Sequence, residues 1–153
     1  MTPGGGTPIR EAGFAELDAA TLYRILQLRV DVFVVEQHCA YRELDGRDRE
    51  PGARHVWIEA DDGAVVAYLR TLGEADGTTR IGRVVTAPMA RGAGLAGRLV
   101  GHVLARATGP VVADAQQQLQ RWYAAWGFTV AGPAFTEDGI PHVPMRRDPE
   151  VPA

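Results

Sequence analysis

The chain of 153 residues is 46% hydrophobic, which predicts one domain large enough to bury a core. Its formal net charge of −3 is nearly balanced and its arginines are scattered, so we expect neither a nucleic-acid partner nor a membrane surface. No apolar run is long enough to span a bilayer. A single cysteine, Cys39, leaves no internal disulfide and favours a reducing, cytoplasmic location.

The elements of the first half are predicted from hydrophobic spacing and cap residues. Residues 1–8, rich in Gly, Thr and Pro, predict a disordered lead, and a weak strand is expected over 9–17. Asp18 is placed to cap a helix that has a continuous apolar face. A long charged loop over 37–54 follows. An Asp-Asp-Gly turn then predicts a hairpin of two strands, at 55–60 and 65–72.

The second half alternates strands and helices. A β-branched strand over 81–86 precedes a glycine-rich turn and a helix with apolar residues at every fourth position. Residues 111–113 predict a short central parallel strand, and a second apolar stripe predicts a helix ending at Gly127. This order predicts an α/β (α+β) domain with a mixed sheet. A last hairpin is predicted from strands at 128–133 and 141–146, and a loose tail over 148–153 follows it.

The most informative segment is 91–97, Arg-Gly-Ala-Gly-Leu-Ala-Gly, which we call the glycine loop. Its three glycines open an amphipathic helix. Backbone N–H groups at such a helix start have no intrahelical partner, and the helix dipole favours an anion there. The missing side chains let a phosphate approach the main chain closely. The glycine loop therefore predicts a polyphosphate site.

Common nucleotide motifs fit this loop poorly. The chain contains no lysine, which excludes a P-loop of the G-x-x-x-x-G-K-[ST] type. Residues 92–97 match the dinucleotide fingerprint G-x-G-x-x-G, but roughly 90 residues precede them, whereas that motif should open its fold. Asp114 stands near the expected distance beyond the loop, yet Gln-rich helical sequence follows it. A dinucleotide-binding domain is therefore only the third hypothesis.

The glycine loop resembles the acyl-CoA site of the GNAT acetyltransferase superfamily. Arg91, Gly94 and Ala96 take the three fixed positions of its signature, [R/Q]-x-x-G-x-[G/A]. Further segments between about 15 and 147 are similar, in the right order, to the ElaA-type branch. They are Asp45-Gly46-Arg47-Asp48, Ala115-Gln116-Gln117, Trp122-Tyr123, Gly127-Phe128 and the run from Glu137 to His142. Gln117 replaces a small residue of the family pattern, and Ala96 stands where a third glycine is common.

This resemblance implies a GNAT domain over 9–147 with the acyl-CoA N-acyltransferase fold, whose mixed, mostly antiparallel sheet has helices on both faces. It also implies transfer of the acetyl group of acetyl-CoA, a co-substrate, to a primary amine of a small molecule or peptide, by a monomer or homodimer. In the family the loop amides hold the CoA pyrophosphate, and the preceding strand binds pantetheine and donates to the oxyanion. The implied cofactor-binding residues are Val84, Val85, Thr86, Arg91, Gly92, Ala93, Gly94, Leu95, Ala96, Gly97 and Gln116.

Tyr123 is the candidate general acid. The family commonly places a tyrosine on this helix opposite the thioester sulfur, and a phenol can donate without prior ionisation. The alternative is a packing tyrosine, because Tyr123 shares its apolar stripe with Leu119 and Trp126. Tyr123→Phe separates the two roles.

The candidate general bases are Glu36, Glu43, Asp45, His55 and His142. Glu36 is favoured because a carboxylate at a helix C-terminus opposes the dipole, and His142 because its strand ends near the opening of the resembled sheet. Either could instead be structural, as a solvated helix end or a hydrogen-bonded histidine. The acidic loop that starts at Glu43 could likewise be solvated or could recognise a cationic amine.

No metal site is predicted, because His38 and Cys39 are adjacent and no other pair has zinc-ligand spacing. Nor does the sequence contain a G-x-S-x-G elbow that would indicate hydrolysis. The second hypothesis, after the acetyltransferase, is a non-catalytic acyl-CoA-binding module.

Overall fold

The computed structural model describes residues 7–149, which form one eight-stranded sheet and three α-helices. The strands are β1 (Arg10–Ala12), β2 (Arg54–Glu59), β3 (Val65–Gly73), β4 (Thr79–Thr86), β5 (Val111–Gln116), β6 (Thr129–Val130), β7 (Phe135–Glu137) and β8 (Ile140–Arg147). The helices are α1 (Ala19–Val30), α2 (Leu95–Arg106) and α3 (Gln120–Ala125). No helix in this part of the chain is long and apolar enough to cross a membrane.

The sheet is mixed and mostly antiparallel, as predicted. Its order is β1-β2-β3-β4-β5-β8-β6, with β7 paired to β8, and within the described residues only β4 and β5 run parallel. These two strands pair only from Thr79↔Val111 to Ile81↔Ala113, and then they separate. β5 continues beyond that point on β8, as far as Gln116↔His142. The sheet is therefore continuous between β4 and β5 up to Ile81 and open between them from Gly82 onward.

Helices cover both faces, which confirms the predicted layering. Ile25 and Leu28 of α1 pack with Trp57 and Tyr68 on one face. Leu95 and Leu99 of α2 lie in the larger core on the other face, where Tyr123 and Phe128 also pack. Asp18 caps α1, since its carboxylate accepts the Thr21 N–H at 2.7 Å.

Two predicted elements were wrong in extent, and one strand was not predicted. The first strand stops at Ala12, because the Glu16 side chain accepts the Gly13 N–H and caps a 3-10 turn, Phe14–Glu16. The first helix changes at Asp31 into a π-helical turn, Asp31–Glu36. β7 was missed because its three residues are exposed and give no hydrophobic alternation. The predicted lead and tail, 1–8 and 148–153, lie mostly outside the described residues.

Candidate active site

A cleft of about 960 Å³ opens where β4 and β5 separate. The part of β4 from Gly82 to Thr86 lines it, so the strand edge that faced β5 carries unpaired backbone groups toward the cleft. Of the predicted site residues, Glu36, Arg91, Ala96, Gln116, Tyr123 and His142 all line this cleft, with Val84, Val85 and Thr86. The cleft thus brings the predicted catalytic residues together with part of the predicted cofactor site, while Gly92, Ala93, Gly94, Leu95 and Gly97 do not line it.

The glycine loop follows β4 and includes the first residues of α2. Gly92 and Gly94 have φ angles of +90° and +74°, a region that suits glycine and strains other residues. Gly94 is the N-cap of α2, and the first bond of the helix runs from the Arg98 N–H to the Gly94 carbonyl. The amides of Leu95, Ala96 and Gly97 therefore have no partner within the helix and are available to an anion.

Gly97 has a second reason to be glycine. A Cβ built there would lie 3.0 Å from Cζ2 of Trp126, and a Cβ at Gly101 would lie 3.4 Å from the same indole. Trp126 of the α3 stripe packs across these two glycines, which brings the two helices close together. The side-chain-free surface of Gly97 thus serves helix packing, while its amide belongs to the first turn of α2.

Arg91 and Glu36 form a bidentate ion pair across the mouth of the cleft. The two guanidinium terminal nitrogens donate to the two carboxylate oxygens at 2.8 Å each, and Arg91 Nε donates to the Thr86 carbonyl at 3.2 Å. Hydrogen bonding to Arg91 lowers the pKa of Glu36, which weakens it as a proton acceptor in this arrangement. Both side chains are more than 40% exposed, so the pair is open to exchange.

Tyr123 is buried, but its ring lines the cleft. It meets Trp122 and Phe128 edge to face, with ring centroids 5.0 and 5.5 Å away. Within residues 7–149 its hydroxyl makes no hydrogen bond, and desolvation raises the pKa of Tyr123 to about 12. The phenol therefore stays protonated near neutral pH and has its proton free to donate.

His142 lies on β8 opposite Gln116 and is half-buried. Its Nδ1 lies 2.7 Å from the carbonyl oxygen of Ile140, which can only accept, so Nδ1 carries the proton of the neutral ring. Nε2 then holds the lone pair. The ring is stacked on Phe135, with centroids 5.6 Å apart and planes at 16°. The imidazole is thus held in one orientation as a proton acceptor.

His55 lies outside the cleft and is fully buried. Its Nε2 donates to the Asp48 carbonyl at 3.1 Å, and its Nδ1 accepts the Tyr68 hydroxyl at 2.7 Å. Desolvation lowers the pKa of His55, so the ring is neutral with both nitrogens occupied. These contacts make His55 a structural residue.

The acidic loop is neutralised by arginines, which argues against its use as an amine-recognition site. We call this cluster the charged floor; it consists of Arg29, Arg70, Arg83, Glu43, Asp45 and Asp48. Arg29 donates to Glu43 at 2.7 and 2.9 Å and to Asp48 at 2.7 Å, and both of its partners are buried. The solvated-loop alternative holds for part of the loop, where Leu44, Asp45, Gly46 and Arg49 are exposed.

Arg70 and Arg83 complete the charged floor from β3 and β4. Arg70 donates twice to Asp45, at 2.9 Å each, and once to Asp48 at 3.1 Å. Burial alone would raise the pKa of Asp45, but the hydrogen bonds from Arg70 outweigh it and hold that pKa at about 2. Glu43 accepts hydrogen bonds from Arg29, Arg83 and the Tyr41 hydroxyl. Neither its carboxylate nor that of Asp45 is therefore available as a base. Sequence reasoning missed these pairings, because partners up to 40 residues apart leave no local pattern.

Side chains of the segment after α1 bridge the cleft. The Gln116 amide donates to Gln37 at 3.4 Å, and the Cys39 thiol donates to the Asp138 carbonyl at 3.5 Å. Together with the Glu36–Arg91 pair, these contacts connect α1 to the glycine loop, to β5 and to the β7–β8 turn. Among the described residues, no three His, Cys, Asp or Glu side chains are grouped as metal ligands.

The split mixed sheet with a glycine loop at its opening defines an acyl-CoA N-acyltransferase fold. The family model described as an acetyltransferase (GNAT) domain matches residues 22–149, and the chain belongs to the GNAT family.

Three similar proteins narrow the branch. UPF0039 protein Rv2851c of Mycobacterium tuberculosis is 48% identical over 91% of this chain and 92% of its own length. Protein ElaA of Escherichia coli is 38% identical over 88% of this chain and 92% of its own length. The crystal structure of an acyl-CoA N-acyltransferase from Pseudomonas aeruginosa superposes with a TM-score of 0.86 at 39% identity, covering 92% and 99% of the two chains. The ElaA-type resemblance is thereby confirmed, and the dinucleotide-binding hypothesis is wrong.

Proposed function

We propose that this protein is an N-acetyltransferase that moves the acetyl group of acetyl-CoA to a primary amine of a small molecule or peptide. One observation carries the proposal. A single cleft is lined by the open edge of β4, by Arg91 and Ala96 of the glycine loop, and by Tyr123, whose hydroxyl is unpartnered. Transfer from a CoA thioester to an amine uses a site for the CoA phosphates, a backbone donor for the oxyanion and an acid for the leaving thiolate.

The glycine loop and β4 bind the co-substrate in this proposal. The amides of Gly92, Ala93 and the first turn of α2 bind the pyrophosphate, and Arg91 binds it after leaving Glu36. Val84, Val85 and Thr86 bind the pantetheine arm along the open strand edge, and Gln116 faces it from β5. Acetyl-CoA supplies an activated acyl group when bound. Binding, orientation, stabilisation of charge and proton transfer fall to side chains and backbone amides of this chain.

A backbone amide of β4 stabilises the negative charge that develops on the carbonyl oxygen. The Ala87 N–H donates to Val66 of β3 at 2.8 Å, and backbone groups of a strand alternate between its two edges. The amides of Thr86 and Val84 therefore face away from β3, toward the cleft. A fixed donor at this position is worth about 10²–10³ in rate.

Proton transfers are divided between two residues. His142 Nε2 accepts the proton of the attacking amine, directly or through one water, because its Nδ1–H is held by Ile140. Tyr123 donates its proton to the departing sulfur. Glu36 is the second candidate base, and it becomes available only when the CoA phosphates bind Arg91.

An amine panel tests the function. Purified protein, acetyl-CoA and each of a set of amines, polyamines, aminoglycosides and peptides are mixed, and free CoA thiol is measured. We expect thiol release with at least one amine and an acetylated product of matching mass. Acetyl-CoA binding without turnover on any amine would instead support the non-catalytic binding module.

The oligomeric state, a monomer or a homodimer, and the cytoplasmic location stay predictions.

Tyr123→Phe tests the mechanism, since it deletes the hydroxyl and keeps the ring that packs on Phe128. With the best amine of the panel, kcat should fall by about 10²–10⁴, while affinity for acetyl-CoA stays near that of the wild type. Phe128→Leu is a matched control, because Phe128 packs on Tyr123 but does not line the cleft, so this change removes packing but no proton. An unchanged kcat in Tyr123→Phe would return Tyr123 to a packing role.

A further inference from the structure

Arg83 occupies a backbone conformation that its residue type disfavours. Its φ is +55°, and it lies in a bulge of β4, because Val85 is in register with Tyr68 whereas Gly82 is in register with Arg70. Two β4 residues thus face one β3 residue, Leu69. A non-glycine residue at positive φ costs free energy and persists only where its surroundings hold it.

The charged floor holds Arg83 in place. Its Nε donates to the Glu43 carboxylate at 2.7 Å, and a terminal nitrogen donates to the Glu43 carbonyl at 3.1 Å and to Asp45 at 3.3 Å. The guanidinium also lies 5.6 Å from the centre of the Tyr41 ring. Glu43 is in turn bonded to the buried Arg29, so the anchor of Arg83 is itself fixed.

The peptide bond that follows Arg83 carries the Val84 N–H. The backbone angles of Arg83 therefore set the direction of that amide, which strand alternation turns toward the cleft. No other non-glycine residue between Thr79 and Thr86 has a positive φ. A change of conformation at Arg83 would rotate this donor directly.

We propose that Arg83 is a positioning residue: its ion pairs with Glu43 and Asp45 hold the β4 bulge so that the Val84 N–H points at the carbonyl oxygen of the bound acyl group. The inference rests on the proposed acetyltransferase function. It connects the charged floor, which touches no reacting atom, to the rate of the chemical step.

Paired substitutions test this role. In Arg83→Ala the strain remains and the anchor is lost, so kcat with the best panel amine should fall about 10²-fold, as for an ångström of misplacement. KM for acetyl-CoA should change less than about threefold, since the glycine loop is untouched. Arg83→Gly accepts the positive φ without strain and should lose clearly less kcat than Arg83→Ala. Equal losses in the two variants, or a loss confined to KM, would overturn the inference.

Arg54→Ala is the matched control. Arg54 on β2 also bonds two carboxylates, Glu11 and Glu16, but it does not line the cleft. It should lose a comparable ion pair with kcat unchanged. A fall in kcat as large as that of Arg83→Ala would show that loss of ion pairs alone slows the enzyme, and would overturn the positioning role.

An amide measurement separates this inference from the proposed function. The probe is the analogue of acetyl-CoA in which CH2 replaces the thioester sulfur, added to ¹⁵N-labelled protein. We expect the Val84 amide resonance to shift in the wild type and to shift much less in Arg83→Ala, with similar shifts of the glycine-loop amides in both. If the Val84 amide resonance does not shift when the analogue binds, the inference is overturned even if the enzyme turns over. Absence of turnover on every amine overturns the proposed function, while the Val84 shift still decides what Arg83 does.

Discussion

The charged floor and the glycine loop each contribute residues to one cleft and each contain arginine, but they hold it in opposite ways. Arg29 of the charged floor is fully buried, and each of its guanidinium nitrogens donates to a fixed acceptor. Arg91 of the glycine loop is 44% exposed, and its carboxylate partner Glu36 is 42% exposed. The first arrangement is closed to ligands, whereas the second can exchange its partner.

The difference follows from solvation. A buried ion pair is costly to break, because one charge is left without partner or water, while an exposed pair contributes little to stability. The charged floor can therefore fix the backbone of β4 permanently. The Glu36–Arg91 pair can give way to phosphate at small cost. Stability and ligand exchange are thus assigned to different arginines.

The largest effect is expected from breaking the charged floor. Arg29→Met keeps much of the side-chain volume but leaves Glu43 and Asp48 short of a partner in a buried site. We expect the free energy of unfolding, measured by urea denaturation, to fall by about 3–5 kcal/mol. Arg24→Ala, an exposed arginine on the same helix, should change it by less than about 0.5 kcal/mol. Equal small losses would mean that the floor is dispensable.

A second effect sharpens the assignment of the glycine loop. Gly94→Val introduces a β-branched residue at φ +74° and blocks phosphate approach, so affinity for acetyl-CoA should weaken tenfold or more, about 1.4 kcal/mol. Gly77→Val is the matched control, because Gly77 has φ +88° and open space around its Cα but lies in the turn between β3 and β4, outside the glycine loop. Calorimetric titration should show weaker binding for Gly94→Val alone. Unchanged affinity would make the loop a structural turn.

The pH dependence of stability reports on the edge of the charged floor, where His55 contacts Asp48. Burial lowers the pKa of His55, so as pH falls the unfolded chain takes up a proton before the folded chain does. The contribution of His55 to the free energy of unfolding is complete above about pH 6.5. It is lost as pH falls below that value, with a slope of at most about 1.4 kcal/mol per pH unit. Urea unfolding from pH 7.5 to 5 should show this slope, and His55→Gln should reduce it. A pH-independent wild type would contradict the assignment.

The smallest effect concerns the exchangeable pair. Glu36→Gln frees Arg91 for the phosphates, so we expect acetyl-CoA to bind up to about fivefold tighter, the equivalent of an exposed pair worth at most about 1 kcal/mol. Asp148→Asn, which removes another exposed pair with Arg146, should leave binding unchanged. Weaker binding in Glu36→Gln would show that Glu36 organises the site instead of competing for Arg91. A large fall in kcat would restore Glu36 as the base.

Local patterns in the sequence predicted the parts of the fold that depend on neighbouring residues. Asp18 as a cap, the apolar stripe of α2 and the hairpin around residues 61–63 depend on spacing within a few positions, and all were confirmed, whereas Leu119 of the third stripe is exposed. β7 and the π-helical turn at Asp31–Glu36 were not predicted, since the first is three exposed residues and the second continues a helical pattern. The glycine loop was recognised because its positive φ angles favour glycine, which is visible in the sequence itself.

By itself the sequence determined the glycine loop, the family and many of the residues that line the cleft, because these depend on residue type and short spacing. Only the tertiary structure decided what the charged residues do. It paired Glu43 and Asp45 with arginines from three elements, fixed the tautomer of His142 and set Arg83 at a positive φ. Such outcomes depend on which distant side chains meet after folding, and on how much water remains around them, so no local pattern could encode them.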